Sequence, residues 1–515
     1  MSQESAERLP VEKVADPAAG RAGIGGILFA MCTCLVLVVA SVSALNLAMP
    51  DLAIDLSAST TSLTWIADAY TLALAAFVLP IGSLGDKLGR RNVLVAGTVV
   101  FAIGSVAAAS VHTTALLIGW RAVMGLGAAM IMPGTLSTIT AAFPADRRDR
   151  GVAVWSGFAA AGAIIGLLAA GMLLQQWSWR SIFVTSAVVA VLGGLVALMF
   201  APNTRDEEQR PLDHPGAWTS AIAIGALVYG IIEGGEAGWI SGRVIGSFGV
   251  SAAALALYAA LGFRNHHPLL DPRLFGLRGF RAGAITILVQ FMAVFGFFFV
   301  GLQYLQLILG YSPLKSAVAL IPIAAVVLPT SVLTPRLAER IGIRAVMSVG
   351  LLLLAAGMFA ESLLKVDSGY LPFLGGLIIS GLGVGLTSAV GTLVIVGSLR
   401  PDQQGVASAM NDATREVGSA VGIALMGSVF ASHYTSALPV LDQLPPQAGH
   451  TVESSAAAGL HVAESLGPQG AALAVAVRSA FISGLSASLV AVSVILAVAG
   501  VVAMLRAPDV QHPPR

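Results

Sequence analysis

Along this chain, polar residues come in short clusters and apolar residues in long runs between them. Crossing ~30 Å of hydrocarbon at 1.5 Å per residue takes roughly 20 apolar residues in a helix. Runs of about that length or more fall near 25–49, 63–84, 93–111, 114–140, 151–174, 181–201, 217–235, 244–263, 282–308, 316–335, 343–364, 371–398, 404–432 and 483–506. They predict fourteen membrane-spanning helices. A helix satisfies its own backbone hydrogen bonds in lipid, so the expected fold class is an all-α polytopic membrane protein.

The polar clusters carry a repeat. LGDKLGRRNVLVAG (84–97) aligns with LAERIGIRAVMSVG (337–350) at an offset of 253, pairing Asp86 with Glu339, Lys87 with Arg340, Gly89 with Gly342, Arg91 with Arg344 and Gly97 with Gly350. Two halves with the same basic turn after the second helix are the mark of a transporter built from parallel repeats. Six helices per half leave two over. The predicted division is a tail (1–23), a six-helix bundle (24–202), two linking helices (203–265), a second six-helix bundle (266–507) with a long outer loop at 433–482, and a tail (508–515). That loop reads equally as an external amphipathic flap or as a floppy linker.

Charge fixes the orientation. Only 11% of residues are charged and 56% are hydrophobic, with mean hydropathy +0.85, against about a quarter charged in soluble domains. With the N-terminus inside, 21 of the 28 Lys and Arg fall on cytoplasmic loops and tails. The positive-inside rule then places both termini in the cytoplasm and the chain, multi-pass, in the cytoplasmic (inner) membrane. The net charge of +1 is sorted by loop and forms no basic face, so nucleic acid is not an expected partner. Cys32 and Cys34 read as small buried hydrophobes. NHHP (265–268) has no acidic or cysteine partners nearby and is not expected to hold a metal. No zinc-protease helix, nucleotide-binding loop or nucleophile elbow occurs, so neither an enzyme nor a cofactor is expected.

A few charges lie inside the runs, where each is costly and marks function. Asp412 and Glu416 sit roughly 12 and 18 Å into the thirteenth helix, on one face at i, i+4. Arg415 is close enough to bridge to Asp412 but cannot neutralise both acids, so the surplus carboxyl is a candidate to bind a proton or a cation. Asp68 and Arg121 both lie roughly 10 Å from the outer ends of their helices, a depth that Ser41 shares, and are expected to pair. In the ninth helix, aromatics including Phe295 can hold planar cations, and Gln303 and Tyr304 bring polar tips. With Asn411 and Trp65 these are the expected cavity residues.

Three stretches carry a resemblance. GSLGDKLGRR (82–91) matches the G-x-L-x-D-x-x-G-R-R pattern of the major facilitator superfamily, with Gly82, Asp86, Gly89, Arg90 and Arg91 as its gate motif. RAVMGLGAAMIMPGT (121–135) resembles the R-x-x-x-G-x-G-x-A motif of proton-coupled exporters. WIADAYTLALAAF (65–77) looks like the second helix of the fourteen-helix drug:proton antiporters, in particular the quaternary-ammonium-compound exporters, which place an acid where Asp68 stands and align acids with Asp412 and Glu416. HPLLDPRLFGLRGFRAG (267–283) and SPLKSAVALIPIA (312–324) fit the same subgroup. Two positions depart from it. Ser41 stands where the first helix usually has an acid, and GLLAAG (166–171) puts Leu167 and Ala170 at the Pro and first Gly of G-P-x-x-G-G.

The resemblance implies two six-helix bundles with two helices between them, acting as a monomer in membrane lipid. It implies a proton-coupled antiporter that exports lipophilic, cationic small molecules by alternating access. Asp68, Asp412 and Glu416 would bind proton or drug, with Glu416 the foremost, and Arg121 and Arg415 would be their charge partners. The alternatives are an exporter dedicated to one antibiotic or metabolite, an uncoupled drug-binding sensor, and a solute-importing symporter.

Overall fold

A computed structural model describes residues 23–204, 213–265, 268, 271–399, 404–439 and 445–507. The two terminal tails, the side chain of Asp86 and both histidines of NHHP lie outside the described set.

The apolar runs are helices. The first bundle is α1 (Ile24–Leu47), α3 (Thr60–Leu88), α4 (Arg90–Ser110), α5 (Thr114–Ala142), α6 (Ala145–Gln176) and α7 (Arg180–Phe200), with the short α2 (Met49–Asp55) after α1. Two helices follow, α8 (His214–Ala237) and α9 (Gly242–Arg264). The second bundle is α10 (Arg278–Gln303), α11 (Pro313–Ala319) continued by α12 (Ile321–Ile341), α13 (Ile343–Ser362), α14 (Tyr370–Gly397), α15 (Gln404–Ala437) and α18 (Ala471–Arg506). Between the last two lie α16 (Pro446–Ser454) and α17 (Ala456–Ser465). Among the described residues, 13 stretches are long and apolar enough to cross a membrane. The remaining predicted span is α6, whose described apolar part is Gly162–Gln176.

The bundles repeat one packing scheme. α1 packs on α5 and α6, α3 on α5, and α4 on α5 and α7; likewise α10 packs on α14 and α15, α12 on α14, and α13 on α14 and α18. The sequence repeat marks the same turn in each half. Gly89 (φ 104) and Gly342 (φ 87) take a conformation that a residue with a Cβ rarely adopts. Just beyond, Arg91 Nη1 donates to the Ala201 carbonyl at the end of α7 (3.4 Å), and Arg344 Nε donates to the Ala507 carbonyl at the end of α18 (2.7 Å). The aligned arginines fasten equivalent helix ends.

Prolines cause the departures from the predicted spans. The run 25–49 breaks at Ala48 ahead of Pro50, and 316–335 breaks at Leu320 ahead of Pro322. A proline lacks the N–H that would continue the helix and crowds the turn before it, but suits the first turn of a new one. The outer connection is shorter than 433–482, because α15 continues to Ala437 and the Ala-rich stretch joins α18 from Ala471. What remains includes a folded cap. The Tyr434 hydroxyl donates to the Val452 carbonyl (2.7 Å), Thr60 Oγ1 donates to the Ser454 carbonyl (3.1 Å), and α17 packs on α2 and α18. This cap touches both bundles.

The bundles meet along α3–α15 and α6–α11, and α8 lies against both α3 and α15. Gln306 Nε2 donates across the boundary to the Leu47 carbonyl (3.1 Å). A Cβ on Gly171 would come within 2.8 Å of Leu314 Cα. Both junctions lie at the end of the molecule opposite the basic turns, the far end.

Candidate functional site

Close packing of α15 on α10 sets the charged segment in place. A Cβ on Gly418 or Gly422 would collide with the carbonyl of Leu288 or Met292, so these glycines bring the two backbones together. In the turns before them, Asn411 and Asp412 are buried, while Arg415 and Glu416 remain partly accessible. Asn411 Oδ1 accepts from Thr392 Oγ1 of α14 (3.2 Å). The guanidinium of Arg415 lies over the ring of Phe291, 5.1 Å from its centroid, and Phe291 stacks on Phe295 at 5.8 Å. The Arg415–Asp412 bridge expected from their spacing is absent: among the described residues no ion pair joins Arg415 to either acid, and Arg415 Nε is buried without a partner. The quadrupole of the Phe291 ring holds the cation toward α10 instead.

The expected Asp68–Arg121 pair is also not formed. Arg121, fully buried, donates from Nε to the Ile66 carbonyl (3.1 Å) and from Nη2 to the Ala67 carbonyl (3.4 Å), and lies 4.5 Å over the ring of Tyr70. Asp68 is 0% exposed, and neither of its oxygens has a hydrogen-bond partner among the described residues. Helical geometry accounts for the split. Ile66, Ala67 and Tyr70 share the face of α3 on α5, whereas Asp68 lies between Trp65 and Leu72 on the stripe that packs with α8 and α15. Ser41, where an acid was expected, donates to its own helix at the Leu37 carbonyl (2.7 Å) and needs no counter-charge.

The α6 motif keeps its packing without its proline. Leu167 and Ala170 are buried, and a Cβ on Gly166 would sit 2.6 Å from Ala40 Cα. In the basic turn, Arg90 Nη1 donates to the Ser137 carbonyl (3.1 Å), and Gly82 packs on Pro133.

The cavity candidates divide. Phe295 and Trp65 are half-buried, the latter against Tyr229 of α8 (6.0 Å). Gln303 is buried, with Nε2 donating to the Phe299 carbonyl (2.9 Å). Tyr304 is 0% exposed, its ring stacked on Phe373 of α14 (5.6 Å) and its hydroxyl without a partner among the described residues. It opens a π-helical turn, Tyr304–Ile308.

Two features escaped the sequence reading. Glu361, near the end of α13, is 1% exposed with neither oxygen partnered; the sequence signal was a lone acid inside an apolar run. The other is a latch at the far end. Asp55 Oδ2 accepts from Trp179 Nε1 (2.9 Å) and from Arg180 Nη1 (2.8 Å), and these bonds hold the Asp55 carboxyl below its usual range.

Two repeated six-helix bundles with a helix pair between them, and charges in mid-membrane, define a polytopic transporter. The chain belongs to the Major Facilitator Superfamily, matching it over residues 31–423. It is 32% identical over 403 residues to multidrug resistance protein Stp of Mycobacterium tuberculosis, covering 78% of this chain and 75% of that one. It is 30% identical over 444 residues to methyl viologen resistance protein SmvA of Salmonella typhimurium, covering 85% and 89%. A crystal structure of a bacterial homologue of the human lysosomal transporter Spinster superposes with TM-score 0.67 at 15% identity, covering 96% and 98%. That likeness concerns the fold.

Proposed function

We propose that this protein exports lipophilic cationic drugs from the cytoplasm, exchanging them for protons by alternating access. One observation carries the reading. Although α15 packs against α3, α8, α10, α14 and α18, Arg415 and Glu416 at its mid-depth stay partly accessible. Accessibility in so enclosed a place supports a water-filled space between the bundles, lined by Glu416, Arg415 and the Phe291–Phe295 stack, with Asp412 buried one turn away. Asp412 and Glu416 carry more negative charge than Arg415 cancels, so the space favours a cation or protons, one at the expense of the other. The names of Stp and SmvA support a drug substrate, and methyl viologen is a dication. Bundles joined at the far end fit a space open toward the basic turns, which the positive-inside rule assigns to the cytoplasm.

The test is ethidium uptake into inside-out vesicles holding the purified protein, driven by an imposed pH gradient. Wild type accumulates ethidium and Glu416→Gln loses about tenfold or more of the gradient-driven rate. Uptake surviving in Glu416→Gln moves the exchanged proton to Asp412 or Asp68. A wild type indifferent to the gradient would remove the proton from the mechanism.

A further inference from the structure

Glu361 lies outside the space just described, on the face of α13 that packs on α14. Its side chain fills a notch that exists because Gly376 has no Cβ, and one added there would overlap Glu361 Cγ. One turn along the same interface, Gly357 meets Ser380, whose hydroxyl is likewise buried and unpartnered. No charge compensates the carboxyl. Of the ionisable groups on α13 and the helices packed on it, Arg344 on α13, Arg278 and Arg281 on α10, Arg336, Glu339 and Arg340 on α12, and Arg506 on α18 lie toward the end with the basic turns; Tyr370 on α14 and Arg478 on α18 share the far end, and neither Glu361 oxygen bonds to either of them. Beyond Ser362, Lys365 and Asp367 are exposed. An ionised carboxylate this deeply buried without a partner is strongly disfavoured, so this packing suits Glu361 as the neutral acid. The far-end surface is two residues beyond it, at the exposed Leu363.

The notch is also tied to the junction between the bundles. Gln306, which donates to Leu47 across the boundary, belongs to the π-helical turn that Tyr304 opens. Tyr304 stacks on Phe373, one turn before Gly376 on α14. In the same helical turn, the Tyr370 hydroxyl donates to the Ala319 carbonyl at the end of α11 (2.8 Å), and α11 is the element that meets α6 of the other bundle. The first two turns of α14 therefore reach the far-end junctions through Tyr370 and Phe373 and Glu361 through Gly376. Parting the bundles there would displace the wall of the notch and let water reach the carboxyl.

We propose that Glu361 is a proton-binding site that controls the far-end gate: protonation from the far side permits closure, and loss of the proton holds the gate open. This rests on the alternating-access reading but needs neither drug nor proton gradient to test. Spin labels on Cys introduced at Ser57 and Asp367, in a background lacking Cys32 and Cys34, report the far-end separation in resting, purified full-length protein. The open population should rise about fivefold or more from about pH 6 to about pH 9 in wild type and less than about twofold in Glu361→Gln, which stays neutral. A wild-type distance that ignores pH overturns the proposal, and so does a pH response equal in Glu361→Gln and wild type.

If Glu361→Gln does not fold, dicyclohexylcarbodiimide on the wild type decides, since it couples to protonated buried carboxyls. Modification mapped to Glu361, with the far end then closed at every pH, supports the gate. An unmodified Glu361, or one modified without effect on the distances, overturns it. Pairing a pH-responsive far end with gradient-independent ethidium movement would instead leave the gate standing and remove the proton-coupled export reading.

Discussion

Arg121 rests its guanidinium 4.5 Å over the ring of Tyr70, whose hydroxyl donates to the Val38 carbonyl of α1 (3.1 Å). Through this pair α5, α3 and α1 are held together at one depth, and the cation is satisfied by two α3 carbonyls and a ring without any carboxylate. Asp68 has no bond to Arg121. Combining Arg121→Gln with Asp68→Asn should give additive losses in transport, with a coupling energy below about 0.5 kcal/mol. A cycle measured by ethidium efflux checks this, and coupling above about 1 kcal/mol would restore a direct pair in some state of the cycle.

Phe291 lies under Arg415 at 5.1 Å and against Phe295 at 5.8 Å. Under the proposed function, a planar cation between the bundles would meet this half-buried stack, whose faces attract positive charge. Phe295→Leu should weaken binding of ethidium about fivefold, roughly 1 kcal/mol, and barely change binding of a neutral dye of similar size. Fluorescence titration in detergent measures both. Equal weakening of the two ligands would mean the rings contribute only apolar area.

The spans, their repeat and the glycines of the basic turns were legible because each leaves a local mark: a run length, a matched pair such as Arg91 and Arg344, a Gly where φ must be positive. The breaks before Pro50 and Pro322 were equally local and were missed because hydropathy ignores the backbone donor. Asp68 and Arg121 share a depth, but depth says nothing of azimuth: Arg121 lies in the α3–α5 contact and Asp68 on the face of α3 turned to α8 and α15. Glu361 illustrates the converse case. A single acid in a long apolar run reads as tolerated until the facing Gly376 shows that a place is made for it.

The missing proline in α6 gives a direct comparison. Gly166 lets α6 lie on α1 so closely that a Cβ would fall 2.6 Å from Ala40 Cα, whereas Leu167 is an ordinary buried side chain. Gly166→Leu should cost about 3 kcal/mol or more of folded stability, since backbone atoms cannot yield as side chains do. Leu167→Met should cost less than about 1.5 kcal/mol. Monodisperse yield and Tm in detergent separate them. Gly166→Leu behaving like wild type would mean the α1–α6 contact is loose enough to open.

The Asp55 latch makes a pH prediction outside the membrane. Trp179 and Arg180 bond the ionised carboxyl, so its folded-state pKa lies below the unfolded one. The stabilisation is then complete above the ordinary carboxylate pKa of about 4 and fades as pH falls through the folded value. The side chains of Arg180 and Asp55 are 27% and 47% exposed, so solvent screening limits the pair to about 1 kcal/mol at most. Asp55→Asn should lower Tm at pH near 7 by the few degrees such an energy gives, and the gap from wild type should close below about pH 4. Because the carboxyl ties α2 to the start of α7, the loss should also appear as faster hydrogen exchange in α2. A gap that persists unchanged in acid would mean that Asn fails on shape, and that charge at position 55 contributes nothing.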